Sequence, residues 1–206
     1  MNFHLGIDPG STSLGWALLS EDRAQYASGT FSYKKYDVIG EGSLALWDII
    51  RSNLPEGGAI VSAAIERYVP YDGKFNANSE LTCEVIGSLT LLLHQNGIKY
   101  LKTRAIDWKI AVCKLLFLTE RFTNPSTKLD KVFSVALAVH LLKSKVFKTD
   151  HEADAYGLAF YAMQSCNRGY YEARDTKTNT IRTKASKRTK RPVKSTTRIP
   201  KQVSPR

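Results

Sequence analysis

Four acidic residues and a histidine are the first candidates for chemistry in this chain. Asp8 in "GIDPGSTSLGWALL" closes one apolar run and precedes another, Glu66 ends "GAIVSAAIE", and "TDHEADA" gathers Asp150, His151 and Asp154. On a helix, residues three and four apart share a face, so His151 and Asp150 both project with Asp154. Carboxylates at the ends of buried strands face the crevice where α/β sheets collect ligands. Crowded together they repel, and each is costly if left buried, charged and unpaired. A divalent cation removes that cost, and hard oxygen donors suit Mg²⁺ or Mn²⁺. Two such ions about 3.5 to 4 Å apart activate a water and stabilise the leaving oxygen of a phosphodiester. The candidate ligands are therefore Asp8, Glu66, Asp154 and a group from Asp150 and His151. Each also has a plainer reading: Asp8 before Pro9-Gly10 suits a turn, Glu66 suits a partner for Arg67, and Thr149 with Glu152 forms a capping box.

The elements that must position these groups follow from periodicity. The β-prone runs "FHLGID", "LGWALLS" and "QYASGTF", separated by Pro9-Gly10-Ser11 and Glu21-Asp22-Arg23, predict three antiparallel strands. "EGSLALWDIIRSNL" places Leu44, Trp47, Ile50 and Leu54 at helical spacing, and "GAIVSAAIE" reads as a buried strand. "SELTCEVIGSLTLLLHQNG" predicts a long helix stopped at Gly97, and "IKYLKTR" a further strand. "DWKIAVCKLLF", "KVFSVALAVHLL" and "DHEADAYGLAFYAMQS" read as helices, the last one buried. The order predicts a mixed α/β domain.

The 206 residues suffice for one sizeable core, and the net charge of +11 directs attention to a polyanionic partner. Its distribution is uneven. Residues 174–206 hold twelve Lys and Arg against one acid, Asp175, whereas residues 1–173 hold eighteen of each sign. The tail has no aromatic residue and no apolar period, and reads as a disordered basic arm whose salt-sensitive attraction suits a DNA backbone. The expected organisation is a nuclease domain over 1–173 and a tail over 174–206. Cys83, Cys113 and Cys166 lack disulfide or zinc spacing. The start lacks the pattern of a signal peptide, and "LTLLLH" is too short to span a bilayer, so a soluble protein of a reducing compartment is expected.

"GIDPGSTSLGWALL", the strand-ending Glu in "AAIERY" and "DHEADAYGLA" resemble, in order and spacing, the RuvC family of Holliday junction resolvases, over Phe3 to Ala162. The resemblance implies a ribonuclease H-like fold, a homodimer, and two-metal cleavage of branched DNA, four-way junctions above all, in a bacterial or virus-infected cytoplasm. It implies that Asp8, Glu66 and Asp154 are metal ligands with His151 in a fourth slot that varies between Asp and His, and that Lys109 in "IDWKIAV" is a catalytic lysine, with Lys128 or Lys131 matching a second. An aromatic residue that follows the catalytic Glu in many members aligns here with Val69, leaving Tyr68 or Tyr71 for that role. Tyr170 and Tyr171 are further stacking candidates. Two other readings compete: a DNA-binding module of the same fold that does not cut, and a sugar kinase-like ATPase, for which a second phosphate loop is missing.

Overall fold

The computed structural model describes residues 1–24, 26–69, 75–115 and 149–167. Five strands form one sheet in the order β3-β2-β1-β4-β5: β1 (Asn2–Asp8), β2 (Ser13–Ser20), β3 (Tyr26–Ser32), β4 (Ala59–Glu66) and β5 (Lys99–Thr103). The first three are antiparallel, whereas β4 and β5 run parallel to β1. Among the described residues, four helices cover the sheet: α1 (Ile39–Ser52), α2 (Ala77–Gln95), α3 (Ala105–Leu115) and α4 (Asp150–Asn167). The expected helix "KVFSVALAVHLL", Lys128, Lys131, Tyr71, Tyr170, Tyr171 and the whole of 174–206 lie outside the described residues.

Period-two alternation divides the core between the two sheet faces. Phe3, Leu5 and Ile7 of β1 join Leu14, Trp16 and Leu18 of β2 and Ala63 and Ile65 of β4, packed against α1 and α2. Ala17, Leu19, Ala64 and Leu101 pack on the other face against Trp108 and Val112 of α3 and Tyr156, Leu158 and Phe160 of α4. Since both faces of β1 are covered, all but its first residue are buried. The helix α1 differs in detail from the expected stripe. Leu44 is exposed, and Ser43, Leu46, Trp47 and Ile50 make the inward face, because the 3.6-residue period carries the stripe through 43, 46/47 and 50. A capping box of Asn76 and Ser79 opens α2, one turn before the predicted apolar run, and Gly97, at φ +67°, lets the chain leave it.

The closest packing is between α4 and β1–β2. A Cβ on Gly6 would run into the Ala155 carbonyl oxygen and the Ala159 amide nitrogen, and one on Gly15 into the His151 carbonyl. Small residues on both sides thus set the helix backbone almost directly on the strands. Gly6→Ala is expected to destabilise the protein by at least about 3 kcal/mol, the upper part of the overpacking range, because the obstacle is backbone that cannot rotate away. Urea unfolding checks this, and a loss under 1 kcal/mol, roughly a tolerated core swap, would contradict the packing.

His4 is the buried ionisable group of this interface's far end. Its Nδ1 lies 2.7 Å from the Ser62 hydroxyl, Nε2 has no partner among the described residues, and burial holds its pKa below the ordinary histidine value. The unfolded chain therefore binds a proton at higher pH than the folded one. Stability from this group is complete above about pH 6.5, the unfolded value, and declines as pH falls. Against His4→Gln, wild type is expected to lose up to about 1.4 kcal/mol per pH unit below that point. Parallel urea melts from pH 7.5 to 5 test it, and parallel curves for the two proteins would refute it.

Candidate active site

The carboxylates meet because of strand register. In β1 and β4, Phe3 pairs with Ile60 but His4 pairs with Ser62, so one residue of β4 is bulged out. A one-residue shift exchanges sheet faces. From that point Gly6 sits beside Ala64 and Ile7 beside Ile65. The next residues, Asp8 and Glu66, are neighbours at the ends of two parallel strands, on the face that carries α3 and α4. Adjacent strands are about 4.8 Å apart, so their charges feel one another strongly. On the outer sides, Asp8 pairs with Gly15 and Glu66 with Thr103.

The first turn of α4 crosses this row. Its N-terminus is fixed by the Thr149 hydroxyl, which accepts from the Glu152 amide at 3.1 Å. The Glu152 carboxylate, expected to complete a capping box, accepts from the Ser28 hydroxyl of β3 at 2.6 Å. This ties the helix start to the outer strand. His151 then stands with Nδ1 2.6 Å from Asp8 Oδ2, and Asp154, one turn on, accepts from Lys109 Nζ at 3.2 Å. Glu66 Oε2 accepts from the indole N–H of Trp108 at 2.9 Å, Trp108 itself being fully buried. The Lys109 ammonium also lies 5.3 Å from the centre of that indole ring.

The sequence-read residues Asp8, Glu66, His151, Asp154 and Lys109 are thus brought to one end of the sheet. They meet in pairs: among the described residues, no three Asp, Glu, His or Cys side chains close into a ready metal cage. The electrostatics nevertheless favour a cation. Burial first, then the negative charge of Asp8, pushes the Glu66 carboxyl up to about 7, with Asp154 adding to the rise and the Trp108 hydrogen bond opposing it. The hydrogen bond to Asp8 raises the His151 imidazole above its ordinary value, against the effect of burial. A set of oxygen donors whose mutual repulsion penalises ionisation is one that a hard divalent ion fits. Asp150, exposed at the start of α4, adds its negative charge to those of Asp8 and Asp154 in favouring the protonated His151 imidazole.

Two features escaped the sequence. Trp108 reads as core by pattern, yet its N–H is what holds Glu66. Phe75, 62% exposed between β4 and α2, is, among the described residues, the aromatic side chain presented to solvent after the Glu66 strand. Tyr68, a sequence candidate for that role, is instead partly buried against the core, with its hydroxyl 2.7 Å from Ser79 Oγ at the start of α2. A phenol anchored at a helix cap is not presented for stacking.

No protein-family model matches the sequence, and no curated protein does. Solved structures do match. Thermus thermophilus RuvC in complex with a Holliday junction substrate superposes with a TM-score of 0.60 at 15% identity, covering 82% of this chain and 97% of that one. A second T. thermophilus RuvC structure gives 0.56 at 16% identity, covering 80% and 95%. The fold is therefore the RuvC type of ribonuclease H-like fold, as the motifs implied, with the mixed five-stranded sheet flanked by helices.

The paired geometry makes a reciprocal prediction. Asp8→Asn removes a like charge beside Glu66 and a charged acceptor from His151, so both pKa values are expected to fall, Glu66 towards the ordinary carboxylate range and His151 towards or below the ordinary histidine value. NMR titration of the two side chains reads both shifts. An unchanged Glu66 would show that Asp8 does not face it.

Proposed function

We propose that the protein is a metal-dependent endonuclease that cuts four-way and related branched DNA junctions. The observation that carries this reading is the side-by-side placement of Asp8 and Glu66 on parallel strands, with Asp154 and His151 laid across them by α4, in a RuvC fold. Asp8, Glu66, Asp154 and His151 would hold the ions, and Lys109 completes the site as a catalytic lysine. Bound Mg²⁺ or Mn²⁺, two per site, supplies an activated water and stabilises the departing oxygen.

The chain's own residues account for the remaining requirements. Trp108 fixes one oxygen of Glu66 and so directs the carboxylate. Lys109 restrains Asp154 and brings a positive charge beside the place of the scissile phosphate, where added negative charge must be stabilised. With Nδ1 of His151 engaged by Asp8, Nε2 is the ring nitrogen left to meet a cation. Phe75 is an exposed aromatic available to stack on a base where strands part. The basic segment 174–206 adds affinity for the DNA backbone without sequence preference.

A two-fold junction requires two sites at once, which a homodimer provides. The outer face of α2 supports this, since Leu81, Gly87 and Leu91 are exposed along it. No described helix is long and apolar enough to cross a membrane, and the proposed setting is the DNA-containing cytoplasm of a bacterium or an infected host cell.

Cleavage of a labelled four-way junction and a matched linear duplex, in magnesium, manganese and calcium, tests the reading. Wild type is expected to cut the junction selectively in magnesium or manganese, and Asp8→Asn and Glu66→Gln to be slower by about a thousandfold or more. Truncation before Arg174 should weaken binding and leave cutting intact at high enzyme concentration. Junction binding without cutting in any metal would instead identify a non-cleaving binding module, and ATP turnover would favour the kinase-like reading.

A further inference from the structure

We infer that the turn after β3, Tyr33–Val38, is a second contact for the DNA backbone, made by Lys34 and Lys35 on the β3 side of the site. The inference rests on the nuclease reading and extends it to a surface that the catalytic residues do not include. Three observations lead to it.

The first is location. Asp8, Ser32, Glu66 and Thr103 all end their strands at the same edge of the sheet, so Lys34 and Lys35 emerge on the catalytic side. The turn is joined to the loop that follows Asp8: the Tyr33 amide donates to the Thr12 carbonyl at 3.1 Å, and the Ser32 hydroxyl donates to the same carbonyl at 3.3 Å. The β3 position is two strand spacings from Asp8, about 10 Å sideways. A lysine at that distance can reach a phosphate on the same backbone only a few nucleotides from one held at Asp8.

The second is construction. Phe31 stacks on Tyr36 with centroids 5.6 Å apart and meets Tyr33 edge-on at 5.1 Å. The Tyr33 hydroxyl lies 3.3 Å from Ser43 Oγ of α1, and Lys35 Nζ is 5.3 Å from the centre of the Tyr36 ring. The turn is thus built on a packed aromatic base, and less conformational entropy is lost when its lysines engage a ligand.

The third is charge. Arg104, at the same end after β5, is already held by Asp107 through bonds of 2.7 and 2.8 Å. Lys34 and Lys35 are exposed and, among the described residues, in no ion pair; Asp37 is the one acid in their turn. The connecting segments at the opposite end of the sheet carry Glu21, Asp22 and Glu56 against Arg23 and the terminal ammonium. Lys34 and Lys35 thus place two open positive charges on the flank of an acidic row, where a backbone reaching the site can be held by its phosphates.

Fluorescence anisotropy of a labelled four-way junction, with the full chain in calcium across a range of salt, provides the test. K34Q/K35Q is expected to bind more weakly, by about threefold to thirtyfold at low salt, and to flatten the slope of log K against log salt by about 1 to 2, the loss of one or two phosphate contacts. K34R/K35R should keep the wild-type slope, and Arg23→Gln, at the far end, should not reduce it. Unchanged affinity and slope in a folded K34Q/K35Q protein, or an equal loss from Arg23→Gln, overturns the assignment while the nuclease reading stands. A wild-type chain that binds no DNA removes both.

Discussion

The seating of α4 on two glycines is the constraint on which the rest of the structure depends. Nothing larger than hydrogen fits at Gly6 and Gly15 beneath the helix backbone. Because the helix lies so low, its first turn brings His151 over the end of β1 and Asp154 to the same row as Glu66. A helix seated at an ordinary side-chain distance would hold these groups several ångströms higher, away from the strand ends that carry Asp8 and Glu66. The alanines at 155, 159 and 162 line the helix face that meets the sheet, and they also favour the helix itself. Packing and chemistry therefore select the same small residues.

The second determinant is the irregularity between β1 and β4. Without the extra residue in β4, Asp8 and Glu66 would present to opposite faces of the sheet, one to α1–α2 and one to α3–α4. Once they share a face, their repulsion has to be managed, and each acquires a neighbour of suitable character: Asp8 an imidazole, Glu66 an indole N–H, and Asp154 an ammonium. These partners come from two helices widely separated in sequence, so the row is clamped from both. An ordered set of negative charges is held ready without depending on solvent to separate them.

Much of this was legible in the sequence. Apolar alternation and turn residues marked the meander of β1 to β3, and carboxylates ending apolar runs marked Asp8 and Glu66, since such a residue inside a core would be prohibitively costly without a purpose. Asp154 stood out on a helix of small residues for the same reason. Other features were not legible because they depend on which surface meets which. Glycine in a strand signals close approach, but not that α4 is what approaches. A tryptophan on a helix looks like core whether or not its N–H is assigned to a carboxylate, and Glu152 looked like a local cap when its partner was Ser28, distant in sequence. Tyr68 and Phe75 differ in exposure and not in any pattern that the surrounding residues display. The side chain at Leu44 shows the same limit: periodicity identified the helix, and packing chose its inward face.

The site also has a consequence in time. The hydrogen bond between Asp8 and His151 spans 143 positions of the chain, and α4 is the last described element. During synthesis the sheet's opening strands emerge early, carrying Asp8 and, later, Glu66, while His151 and Asp154 are still to be translated. A nascent chain therefore has half of the row and none of the helix that completes it. Long-range closure of this kind slows folding. Neither a partly made chain nor one broken before α4 can assemble the arrangement, so the full row exists only once the last described helix has been made and has docked on the sheet.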